Sequence, residues 1–332
     1  MTTCQGIEVY PYHFLRILTI SWHIQAPINF YVFYCIIFLS PKAMKSFRWH
    51  LFVYHCSTTF LDFTLAMGMT PVVIPALALG YSVGLYRNFL DCHQLLTLSL
   101  ICMTISASAT VEIFSWRWQN MLLPSSRLKL GMAVYYGIWA IVLSSLIFCI
   151  ALIHYHVESD QLLLKNLLKQ TYSCVDFFFE QPGVWVGEAV KYLSVVVYGI
   201  ISCCIGAFFL LLFVQQSLSA INKLAAQRSA YARHVQKKLL YFLIAQMTFP
   251  LAAYAVGGTT IILSLWLQLA WMQQGFNVAI LIFSNYGLAA SICLIACNEP
   301  YLRQTKRLLT FRKFLVMNIR LGKKGSAVVR VS

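Results

Sequence analysis

Histidines and carboxylates are the residues here that could do chemistry, and their spacing argues against catalysis. His50 and His55 have the gap of a desaturase histidine box, but no companion box follows and the eight histidines are scattered. His154 and His156 supply two metal donors where a stable site needs three or four. The chain has no Gly-x-Ser-x-Gly, His-Glu-x-x-His or P-loop sequence. Intramembrane aspartyl proteolysis needs two carboxylates at one depth, and Asp62 is the one deep carboxylate. The residues therefore predict no enzyme, no metal and no cofactor. Asp62 itself must be paired, hydrated or protonated, and Ser57, Thr58, Thr59 and Thr64 flank it with hydroxyls. It reads either as an ion site or conformational switch, or as a group that orders helix packing. Pro27, Pro71, Pro75 and Pro250 each remove a backbone donor and can kink a membrane helix; Pro250 joins Asp62 in the switch reading.

The elements that must position these residues follow from where charge is absent. The chain is 60% apolar, and its 25 basic and 10 acidic side chains leave charge-free windows at Ile17–Pro41, Cys92–Val111, Leu130–Val157, Tyr192–Asn222 and Leu239–Asn298. An ionised group costs several kcal/mol in hydrocarbon, and about 20 residues of helix cross it, so each of the first four windows fits one crossing. The last holds two, joined near Trp266, Gln268, Trp271, Gln273, Gln274 and Gly275. A seventh span, Leu51–Leu79, is interrupted by Asp62 alone. The windows are continuously apolar rather than alternating, which predicts helices and not a barrel. The expected fold is an all-α, seven-helix membrane bundle with spans at 17–39, 51–79, 93–116, 131–153, 191–214, 239–265 and 276–297. Residues 1–16 form an outer amino terminus and 298–332 a basic inner tail. The first span is too long for a cleaved signal peptide and lacks a preceding basic cluster.

Alternate loops divide the basic residues five against twenty. The basic set stays in the cytoplasm during insertion, so the amino terminus is expected outside and the carboxyl terminus inside. The net charge of +15 sits in short segments beside apolar spans, with no nucleic-acid-binding motif, and so points to lipid. Of eleven cysteines, Cys4, Cys92 and Cys174 fall outside, where disulfides persist. A Cys92–Cys174 bridge would tie the longest outer loop over the bundle; unpaired thiols or a bond to Cys4 are the alternatives.

Three blocks of residues carry a family resemblance. Pro41, Lys42, Ala43, Met44 and Lys45 lead to Trp49, His55, Asp62, Pro71, Pro75, Gly80, Tyr81, Gly84 and Leu85. Ser229, Arg233, Gln236, Lys237, Lys238, Gln246 and Pro250 form the second block, and Gly287, Leu288, Pro300 and Tyr301 the third. From about residue 15 to 310 the chain resembles the nematode serpentine chemoreceptors of class h, or the closely similar class i, of the Str superfamily.

The resemblance implies a G-protein-coupled chemosensory receptor for a small environmental molecule, sited in the plasma membrane of sensory-neuron cilia. It assigns G-protein contact to Arg117, Arg233, Lys237 and Lys238, although the positive-inside rule alone accounts for their charge. The family's acidic residue before that arginine is missing: the chain reads Phe114-Ser115-Trp116-Arg117. Glu112, five residues back, points about 140° away around the helix. Asn285-Tyr286-Gly287 and Pro300-Tyr301-Leu302-Arg303 are further departures. In the tail, alternating basic and apolar residues suit an amphipathic helix at 301–316 on the inner leaflet, with a disordered basic tail as the competing reading. A ligand-gated channel or transporter is the alternative. Transport usually needs paired intramembrane charges and inverted repeats, and neither is present.

Overall fold

The computed structural model describes residues 7–40, 45–122, 129–157, 160–172, 176–223 and 272–310, with isolated positions between 237 and 267. Helix α1 (Tyr12–Tyr34) continues through a π-turn at Cys35–Leu39. Helix α2 (Lys45–Phe63) likewise ends in a π-turn, Thr64–Met69. Then come α3 (Cys92–Met121), α4 (Met132–Val157), the outer-loop helices α5 (Gln161–Thr171) and α6 (Asp176–Phe179), and α7 (Ala189–Lys223). The expected sixth span lies mostly outside the described residues, and those described between 255 and 267 are helical. The seventh span is two helices, α8 (Met272–Ser284) and α9 (Tyr286–Cys297), followed by a helix, α10, over 299–310. Helix α3 packs against α2, α4 and α7, while α9 packs against α1 and α2. Below, "outer" and "inner" name the ends that the basic-residue count assigns outside and inside.

Helix starts are written locally. Asp91 accepts the Gln94 amide at 2.7 Å while the Gln94 side chain accepts the Asp91 amide at 3.2 Å, a capping box that opens α3. Asp160 accepts from the amides of Leu162 and Leu163 and opens α5.

The second span corrects the expectation of a helix to Leu79. Its helix stops at Met69, Thr70 turns left-handed at φ 45°, and Pro71–Ile74 (β1) pairs antiparallel with Leu79–Ser82 (β2). Continuing the helix would have set two proline rings against the carbonyls four residues before them, and the Val72-Val73-Ile74 run favours extended backbone. Pro71 and Pro75 therefore begin a strand and a 3₁₀ turn and kink no helix. A third strand, Trp185–Val186 (β3), pairs with β2. The Gln161 side chain completes the edge by donating to the Val186 carbonyl (2.9 Å) and accepting its amide (3.0 Å).

This sheet roofs the outer end. Beneath it Leu18, Ala66, Val72, Ile74, Leu79, Phe178 and Ile280 form one buried cluster. A strap of N-terminal chain crosses the roof: the Gln273 side chain pairs with both the amide and the carbonyl of Glu8, at 2.9 and 3.0 Å. The buried Tyr81 hydroxyl donates to the Val9 carbonyl. Burial pushes the Tyr81 phenol up to about 12, so it stays a donor across the ordinary pH range. A second apolar core, around Ile36, Leu51, Tyr54, Phe114 and Tyr286, fills the inner half.

Candidate functional site

The break in the seventh span organises the interior. At Asn285 (φ −109°, ψ 8°) the helical ladder stops, leaving carbonyls at the end of α8 and amides at the start of α9 without helical partners. In a bilayer those groups must be satisfied by protein. The sequence meets this with polar residues from two other spans. Gln25 of α1, wholly buried, donates to the Ser284 carbonyl at 2.9 Å. Asp62 of α2, also wholly buried, accepts the Gly287 amide at 3.1 Å, with the Leu288 amide beside it. Asp62 thus caps a helix that is not its own. The partial positive charge of the α9 N-terminus offsets part of the cost of holding a carboxylate there.

Glycine is required at 287 by this approach: a Cβ there would lie 2.3 Å from Asp62 Oδ2. The two residues belong to separate blocks of the sequence, and the fold makes them one contact. The Asp62 Oδ2 atom is buried without a hydrogen-bond partner among the described residues.

A polar path descends from the break. The Tyr286 hydroxyl meets those of Tyr54 (2.8 Å) and Thr110 (3.2 Å), linking α9 to α2 and α3. Ser291 donates to Asn29 Oδ1 at 2.6 Å, and the Asn29 carbonyl lies 3.1 Å from His55 Nε2, joining α9, α1 and α2. At the inner end Tyr301 of α10 is fully buried, 2.6 Å from the Ser40 hydroxyl, and burial raises its phenol above the ordinary range. Thr305 meets Tyr31 at 2.9 Å, so α10 is fastened to the foot of α1.

Arg117 is 8% exposed near the inner end of α3, its guanidinium 5.5 Å from the centre of the Phe47 ring. Glu112 turns to His50 and Tyr135, as the helical offset from Arg117 requires. Lys237 is helical and half-buried, whereas Arg233, Lys238 and Pro250 lie outside the described residues. Cys92 is buried at the start of α3, and Cys174 lies outside the described residues. Among the predicted site residues, the structure joins Asp62 to the seventh span.

Sequence reasoning missed Gln25, Asn29, Tyr54, Thr110, Tyr286 and Ser291. A signal existed for the first two: amides four residues apart on one helix face, inside a charge-free window.

Comparison with known families matches residues 10–311 to the family described as "Serpentine type 7TM GPCR chemoreceptor Srh". Among solved structures the chain is similar to squid rhodopsin, with a TM-score of 0.53, 12% identity and 92% of each chain covered. At that identity the likeness concerns the fold. Comparison with curated proteins gives no match.

Proposed function

This chain belongs to the Srh family of serpentine seven-transmembrane G-protein-coupled chemoreceptors, a multi-pass membrane receptor and not an enzyme, and on that premise we propose that it reports a small environmental molecule to a cytoplasmic heterotrimeric G protein. The observation that carries this reading is the Asp62–Gly287 contact. The seventh span is broken under the roof and held there by Asp62 and Gln25 from two other helices, and it is the element whose equilibrium between two arrangements the ligand would shift. Asp62 acts as the switch, and Pro250 supplies a pivot in the sixth span.

The ligand binds in the outer half, which is apolar and aromatic beneath the sheet, and it is uncharged. The amino terminus is outside, and a Cys92–Cys174 bridge ties the outer loop over the bundle. Arg117, Arg233, Lys237 and Lys238 form the G-protein contact at the inner face, and α10 lies along the inner leaflet. The receptor works in the plasma membrane of sensory-neuron cilia.

The test is ligand-evoked guanine-nucleotide exchange on a co-reconstituted heterotrimer, with an odorant screen by cellular calcium to find the agonist. Exchange that Asp62→Asn alters while agonist binding persists supports the reading. Agonist-evoked current in excised patches without guanine nucleotide would favour a ligand-gated channel.

A further inference from the structure

The ion pair between α2 and α3 has no part in the arrangement above. His50 Nδ1 of α2 lies 2.8 Å from Glu112 Oε1 of α3, with side chains 9% and 18% exposed. The Tyr135 hydroxyl of α4 points at the same carboxylate, 3.0 Å from Oε1, and at the Glu112 carbonyl, 3.1 Å away. The Tyr136 hydroxyl is 3.4 Å from His50 Nε2, and its ring stacks on the imidazole at 6.1 Å and 6°. Trp116 packs against the imidazole at 4.9 Å. Three helices therefore meet at one carboxylate, five residues along α3 from Arg117.

The geometry assigns proton positions. Nδ1 faces an acceptor and carries a proton, which leaves Nε2 of a neutral ring to accept from Tyr136.

We propose that His50, Glu112 and Tyr135 form a clasp that holds α2, α3 and α4 together and restrains basal signalling through Arg117. The clasp stands on the geometry alone; its signalling consequence rests on the G-protein reading.

The test uses the full-length receptor in lipid nanodiscs, with genetically encoded distance probes at Val53 and Val134, which are 57% and 56% exposed. The α2–α4 distance distribution should be narrow in wild type and longer and broader in His50→Leu, which removes the bond to Glu112. Glu112→Gln should be broad as well, and its basal nucleotide exchange should rise about three- to tenfold. Tyr135→Phe removes one hydroxyl and should broaden the distribution in part, which keeps the test open if Glu112→Gln does not fold. Distributions in His50→Leu and Glu112→Gln equal to that of wild type overturn the clasp. Distributions that broaden in these variants without a change in exchange support the clasp and count against the G-protein reading of Arg117.

Discussion

Asp62 and Gly287 make the contact on which the interior depends, and their substitutions have opposite geometries. Gly287→Ala places a methyl carbon 2.3 Å from a carboxylate oxygen and should cost about 1–3 kcal/mol through displaced backbone. Asp62→Ala leaves the Gly287 amide without its acceptor and should cost about 1–3 kcal/mol, whereas Asp62→Asn keeps an oxygen in place and should cost less. Thermal unfolding in nanodiscs checks the order; equal losses for Asn and Ala would mean that Asp62 caps nothing. Asp62 was legible as the one deep carboxylate, and Gly287 through family resemblance. Their pairing was not, because 225 residues separate them and only the folded bundle brings a helix start to a carboxylate.

Among the elements, the roof shows where local rules were strong enough to be read and were misweighted. Apolarity alone extended the second span to Leu79, while Pro71, Pro75 and the β-branched run between them already opposed helix there. The turn of that hairpin is strained at Ala78, which holds φ 47°. Ala78→Gly relieves a left-handed alanine and should stabilise by about 1 kcal/mol, raising the unfolding midpoint by about 2–4 °C. Tyr81→Phe should expose the N-terminal strap to proteolysis at Val9 several-fold faster. Because the folded phenol is raised, the Tyr81 contribution is complete below the ordinary tyrosine value of about 10. It fades as pH climbs through about 12. The break at Asn285 had no such local mark: no proline precedes it, and it persists because Gln25 and Asp62 satisfy the groups it frees.

For the whole molecule, hydrocarbon forbids both bare charge and bare backbone, so the seven-helix bundle was readable from charge-free windows. The same solvent explains what stayed hidden, since interior polar pairings depend on helix rotation, which composition does not record. On the mechanism proposed above, an outer ligand moves a seventh span held by Asp62 and so presents Arg117 to a G protein. The most direct measurement is agonist-evoked nucleotide exchange on a heterotrimer with the purified receptor, beside Arg117→Ala at matched surface level and agonist affinity. Wild type should show evoked exchange and Arg117→Ala should lose it; evoked exchange that survives Arg117→Ala undiminished would contradict the proposed mechanism.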